Sequence, residues 1–218
     1  KNNKNVKIVF AGTCTQLGKA EKLPIDEKMK DNPSEIYAAD KLLCENYMKI
    51  YHDIHNIYTV TIRFGTLFGE RQQLNSQRFG ITNFFIGRIL RGEEINVYGN
   101  GKFIRNYNYI GNVTDALILA TQAPKANGEV FLIGSDEMYF IDMVKQIVNK
   151  TEKIFGKGGN IKFVEFPKEQ KKFDVGDTKI NWNKIKNTIG WEPKIKFEEG
   201  LEKTISWYKN NERFKEYL

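Results

Sequence analysis

A tyrosine and a lysine stand four residues apart in Tyr37-Ala38-Ala39-Asp40-Lys41. On a helix, side chains at i and i+4 share one face. A free tyrosine has a pKa of about 10, too high to trade protons efficiently at neutral pH. A cation nearby stabilises the phenolate and draws that value down. A fall of about three units corresponds to roughly 4 kcal/mol of differential interaction. The pair therefore reads as an acid/base centre. Spacing alone does not single it out, because a lysine-rich chain with ten tyrosines yields about one chance match. A second match occurs at Tyr98-Gly99-Asn100-Gly101-Lys102, on a glycine turn where the two side chains need not align.

The surrounding elements favour the first pair. Val6 to Phe10 is a β-branched, apolar run ended by Gly12 and Thr13, which predicts a short buried strand. Strand C-termini are where open α/β sheets place their active crevice, and Thr13 offers a hydroxyl there. Asn32-Pro33-Ser34 predicts a helix start with Ser34 as N-cap, and the helix runs from about Glu35 to His52. Leu43, Tyr47 and Tyr51 fall on one face of it. Tyr58 to Phe64 is a strand, followed by a glycine-punctuated loop to Gly80. Further on, the sequence predicts a helix over about 83–91, a strand over 94–98, an extended aromatic stretch over 103–110, and a helix over 113–122. Asn112 is its expected cap, with Asp115 completing a capping arrangement. A strand over 129–133, a helix over 141–154, a strand over 160–165 and two C-terminal helices complete the chain. Alternating strands and helices predict an α/β layered fold.

Composition sets outer bounds. With 218 residues, 40% hydrophobic and 28% charged, the chain is of ordinary globular make-up. No apolar run approaches the roughly 20 residues of a membrane span. Two cysteines, Cys14 and Cys44, make neither a disulfide framework nor a zinc site, so a reducing cytoplasm is the default. The net charge of +7 is spread among acids, with the densest run at Lys168-Glu169-Gln170-Lys171-Lys172. No zinc spacing, RNP-type aromatic motif or basic helix repeat accompanies it, which argues against a nucleic-acid binder.

The motifs, taken in order, resemble the extended short-chain dehydrogenase/reductases, the NAD-dependent epimerase/dehydratase family acting on nucleotide sugars. Phe10 to Gly18 resembles the family's strand-end Ser/Thr segment, and Tyr37 with Lys41 its Tyr-x-x-x-Lys. Arg63-Phe64-Gly65-Thr66-Leu67-Phe68-Gly69 resembles the segment after the next strand. Arg88, Val97-Tyr98-Gly99 and Arg105 resemble a nucleotide-sugar stretch ending in a tyrosine, here Tyr109. Phe131 to Ser135 resembles an Asn-Ile-Gly-Ser turn, and Gly190-Trp191-Glu192-Pro193 with Glu199-Gly200-Leu201 the C-terminal signature.

That resemblance implies the C-terminal part of a Rossmann-like parallel sheet with a smaller α/β substrate domain. Residues 1–75 would hold the remaining strands and the catalytic helix. Residues 76–218 would be mainly substrate domain, with about 103–135 returning to the Rossmann-like sheet. It implies Tyr37 as acid/base, Lys41 lowering its pKa and holding the cofactor ribose, and Thr13 assisting at the same oxygen. Arg63 and Phe64 would lie beside the cofactor, which is NAD or NADP. Arg105 would bind the substrate diphosphate, Val97 and Tyr98 would line the base pocket, and Asp177 would reach the nucleotide ribose. Arg88 and Thr66 are further substrate candidates. The implied partner is a nucleotide sugar, with neither nucleic acid nor membrane, and the full-length protein would be a cytoplasmic homodimer.

Several positions depart from the pattern. The family's Gly-x-x-Gly-x-x-Gly turn, which cradles the dinucleotide pyrophosphate, is not found in these residues. The expectation is that roughly the first third of such an enzyme lies outside the sequence, and that these residues alone bind dinucleotide weakly. Where 4,6-dehydratases of the family carry Asp-Glu after the hydroxyl residue, this chain has Cys14 and Thr15, which disfavours elimination; sugar-acid decarboxylation lacks its glutamate at Thr15. Asp174 stands near the place of a diphosphate-binding arginine, with Lys171 or Lys172 as substitutes. What remains is 4-epimerisation or reduction of a keto sugar. A non-catalytic module that binds nucleotide sugars or partner subunits is the alternative, and a polyanion-binding protein on the same fold is a third.

Overall fold

The computed structural model describes residues 6–167 and 175–218. The chain forms two compact units. The first comprises residues 1–65, 112–134 and 173–194, the second residues 66–111, 135–172 and 195–218.

The first unit is built on a parallel three-stranded sheet in the order β1-β2-β6, with β1 Lys7–Thr13, β2 Tyr58–Phe64 and β6 Val130–Ile133. Its buried strand residues include Val60, Ile62, Phe131 and Leu132, as expected of apolar, β-branched runs. Between β1 and β2 runs α1, Ile36–His55. It ends at Asn56 in the left-handed region (φ 52°), whose amide returns to the carbonyls of His52 and Tyr51. Ser34 does not cap α1. The cap position is Glu35, in extended conformation and without a side-chain bond, and the Ala39 amide is bonded back to the Glu35 carbonyl. The helix therefore starts one residue too late for a serine at 34 to reach its free amides. Leu43, Tyr47 and Tyr51 do share a face, but that face is about half exposed in each case.

Two further helices belong largely to this unit, α3 Ile110–Gln122 and α5 Asn183–Ile189. Because α3 starts at Ile110, Asn112 lies inside the helix and is not its cap. Its side-chain Oδ1 accepts from the Lys194 amide at 3.2 Å, and its carbonyl accepts from Trp191 Nε1 at 3.1 Å. Asn112 thus pins the turn after α5 onto α3, and Trp191 is a packing residue, 3% exposed.

The second unit holds two small sheets. One has the order β3-β5-β7, with β3 Thr66–Phe68, β5 Ile104–Tyr109 and β7 Asp136–Tyr139; β3 and β5 are parallel, β5 and β7 antiparallel. The other pairs β4 Ile95–Tyr98 with β8 Ile161–Val164 in parallel. Helices α2 Ile81–Leu90, α4 Phe140–Phe155 and α6 Phe197–Asn210 close around a core containing Phe68, Leu74, Ile86, Tyr107, Val144 and Tyr208. Residues 104–109 do not return to the first sheet: β5 spends its backbone bonds on β3 and β7, and the return begins at Asn112. The three-residue β3 and the four-residue β7 are too short to show a period in the sequence.

Candidate active site

In the first unit the two parallel strands β1 and β2 deliver their C-terminal ends side by side, Thr13 registered with Phe64 and Phe64 in turn with Ile133. From α1, Lys41 reaches this end: its Nζ donates to the Ala11 carbonyl at 2.8 Å and stands 5.0 Å from the Phe10 ring centre. The same ammonium is 5.7 Å from the centre of the Tyr37 ring. An ammonium carries three donors, so the Ala11 bond leaves donor capacity for a ligand. Tyr37 is 55% exposed. Its pKa lies above the ordinary tyrosine value, first because part of its surroundings is desolvated, then because Glu35 and Cys14 oppose a phenolate. The sequence expectation was the opposite direction. Lys41 is anchored on a backbone carbonyl and sits by the ring, and it is not among the groups that set the direction.

Thr13 is buried at the start of a 3-10 turn, Cys14–Leu17, as a capping box. Its Oγ1 accepts from the Thr15 amide at 3.3 Å and lies 3.1 Å from Thr15 Oγ1. The turn reading and the functional reading of Thr13 are compatible, since capping fixes where its oxygen points. Cys14 is buried in an apolar cluster with Leu17, Ile25, Leu132 and Ile180.

Arg63 does not sit as expected. It is 4% exposed, and its guanidinium is engaged by Glu45 and Asp31 in charge-assisted bonds. These two carboxylates hold the guanidinium more basic than usual despite its burial. A cofactor-binding role would require breaking that pair, so Arg63 is reassigned to structure. Glu45 lies on the face of Tyr37 and Lys41, at i+8 from the tyrosine; a glutamate repeating that step was the available signal.

The second unit contains a cavity of about 560 Å³. Thr66, Arg88, Tyr98 and Arg105 all line it, together with Asn75, Ser76, Gln77 and Asn96. The aromatic lining includes Phe84, Phe85, Phe103, Phe140 and Phe166. Phe103 stacks on Phe140 at 4.8 Å, and the Arg105 guanidinium lies 4.5 Å above the Phe103 ring. Tyr98 meets Phe166 at 5.3 Å. Arg88 donates through Nε to the Glu94 carbonyl at 2.6 Å. Val97 does not line this cavity. It is fully buried in the core, because alternation along β4 turns Ile95 and Val97 inward and leaves Asn96 and Tyr98 on the cavity side. Asn96 is the residue that strict period-two reading of this strand would have named. Asp177 is exposed and belongs to the first unit; it is not one of the residues that line this cavity. Lys171, Lys172 and Asp174 lie outside the described residues.

A family model described as GDP-mannose 4,6 dehydratase matches residues 1–204. The chain belongs to the NAD-dependent epimerase/dehydratase family. A UDP-glucuronate 4-epimerase of Thermodesulfobacterium geofontis is 28% identical over 209 residues, a match covering 94% of this chain and 60% of that protein. A protein described as a putative UDP-glucose 4-epimerase of Methanocaldococcus jannaschii is 26% identical over 208 residues, covering 95% of this chain and 64% of that protein. Among solved structures, a UDP-glucose 4-epimerase with UDP-glucose from Thermotoga maritima superposes with a TM-score of 0.82 at 27% identity, covering 94% of this chain and 64% of that one. The chain therefore spans about 60% of the length of epimerase/dehydratase relatives such as these. The α/β class and the Rossmann-like character of the parallel sheet follow the expectation.

Proposed function

We propose that this chain carries the proton-transfer centre and the substrate cavity of a nucleotide-sugar 4-epimerase or keto-sugar reductase. The observation that carries the reading is the accessible Tyr37 phenol beside Lys41, anchored on the Ala11 carbonyl at the end of a parallel sheet. Strand ends of this kind are the ligand crevice of open α/β sheets. The remaining Lys41 donors fit the hydroxyls of a nicotinamide ribose, and Phe64 stands at the same strand ends. The residues present thus suit the nicotinamide end of NAD, while the turn for its pyrophosphate is not in this sequence. When bound, the dinucleotide supplies the hydride acceptor or donor.

The chain's own residues handle the proton. In the oxidative direction the Tyr37 phenolate takes the hydroxyl proton as the sugar carbon loses hydride, leaving a ketone. In the reductive direction the phenol returns that proton to the carbonyl oxygen as the carbon regains hydride. Thr13 Oγ1 would hold the same oxygen. Elimination needs an added acid and base, and Cys14 and Thr15 supply neither: Cys14 is buried among apolar side chains and Thr15 is turned onto Thr13. This is why we favour epimerisation or reduction although the matching family model is named for a dehydratase. Incubating the full-length protein with UDP- and dTDP-sugars tests it: the expected product is a C4 epimer or a reduced sugar, and loss of water from the sugar would overturn it.

The cavity of the second unit suits a nucleoside diphosphate. Arg105 and Arg88 offer forks for phosphate oxygens, and the aromatic walls offer stacking surface for a base. Arg105→Ala is expected to weaken UDP binding by about 10- to 100-fold in calorimetry, the worth of a charge-assisted hydrogen bond.

The homodimer has support in α1. Leu43, Tyr47, Ile50 and Ile54 follow a 4-3-4 spacing and are 48–70% exposed. Such a stripe matches a helix seam awaiting another helix. Introducing Ile50→Glu with Ile54→Glu is expected to convert a dimer to monomer in sedimentation velocity, with the circular dichroism unchanged.

A further inference from the structure

Buried charged and polar side chains of the first unit form a chain that ends at the backbone amide of Thr13. Arg63, on β2, bonds two carboxylates from different segments. It meets Glu45 of α1 through Nε at 2.8 Å and a terminal nitrogen at 2.5 Å, and Asp31 of the loop before α1 at 2.6 and 3.1 Å. Glu45 Oε2 also accepts from Gln16 Nε2 at 3.1 Å. Gln16 Oε1 in turn accepts from the Thr13 amide at 2.9 Å. Gln16 is fully buried and Glu45 nearly so. Gly12 makes room for this chain: a Cβ there would stand 3.0 Å from both Arg63 Cγ and Gln16 Oε1.

We propose that Gln16, Glu45 and Arg63 are positioning residues that fix Thr13 relative to the helix bearing Tyr37 and Lys41. The proposal rests on the functional reading of that centre given above. Glu45 is one i+4 step beyond Lys41, so a single rigid helix presents the phenol, the ammonium and the anchor of the Thr13 turn. Apolar packing would hold the sheet to the helix about as well as a buried ion pair, and often better. What a hydrogen-bonded chain adds is direction, and misplacement of reacting groups by about 1 Å can cost 100-fold in rate.

Gln16→Met removes both bonds of the link, keeps the side-chain length and leaves the Arg63 ion pair intact. In the full-length protein, exchange of the Thr13 amide hydrogen is expected to accelerate about tenfold, the worth of one hydrogen bond. The Val60 and Ile62 amides should keep their rates, and kcat should fall about tenfold with KM for the nucleotide sugar unchanged. Glu45→Asp, which withdraws the carboxylate by one methylene but keeps a charge for Arg63, should reproduce the Thr13 effect. Unaltered Thr13 exchange in both variants would overturn the positioning role, as would a uniform acceleration of all these amides or a rise in KM at constant kcat. The exchange measurement needs no turnover, so it separates this role from the functional reading. Inertness of the parent protein towards every nucleotide sugar would sink that reading instead.

Discussion

In the proposed reaction, Tyr37→Phe is expected to lower kcat of the full-length protein by about 10²–10⁴-fold while KM for the nucleotide sugar stays within about twofold. The substitution deletes one oxygen and keeps the ring that faces the Lys41 ammonium at 5.7 Å. In the proposed role the lost group would move a proton in the transition state and bind little in the ground state, so the loss would fall on kcat. In this chain the phenol titrates above its ordinary value, with desolvation the leading cause. At neutral pH it is therefore an acid ready to donate. To serve as a base it must be drawn down, and an oxidised nicotinamide, if held through Lys41 as proposed above, would supply positive charge for that. The oxidative half-reaction should accordingly gain rate as pH rises through the phenol's pKa in the loaded enzyme. A Tyr37→Phe variant retaining more than about a tenth of the parent rate would remove Tyr37 from the chemistry.

Arg63→Met should destabilise the protein by about 3–5 kcal/mol in urea unfolding. The side chain is 4% exposed, and its removal leaves the Glu45 carboxylate buried without a counter-charge. Asp31 is less affected, because its side chain is 28% exposed and can rehydrate. The double variant Arg63→Met/Glu45→Leu removes both buried charges and fills the space with apolar atoms, so it should recover most of the loss. A single variant within about 1 kcal/mol of the parent would show that the pair is not holding β2 to α1. Arg63→Lys should fall between, since one ammonium cannot bond two carboxylates as a planar fork does.

Much of the architecture was legible residue by residue. The strand at Tyr58–Phe64, the helix around Tyr37 and the C-terminal pair of helices were read from period and breakers, which are local properties. The cavity was partly legible: Thr66, Arg88, Tyr98 and Arg105 were named, whereas Asn75, Ser76, Gln77, Asn96 and the aromatic walls were not. Those residues come from loops, from helices α2 and α4 and from strand β4, and nothing local marks them as neighbours. Val97 was misplaced by following a motif instead of the two-residue alternation of its own strand.

The fate of Tyr37 and Lys41 shows where the division falls. Sequence by itself determined that a phenol and an ammonium share a helical face near a strand ending in Thr13, because helix and strand periods are local backbone geometry. It also determined that no acid/base pair follows Thr13. Only the tertiary structure decided that Lys41 bonds the Ala11 carbonyl, that the phenol's pKa goes up and not down, and that Arg63 is spent on Glu45 and Asp31. Charge–charge energies depend on distance and on the water left between groups. Both are set by segments that are remote in the chain and meet only on folding.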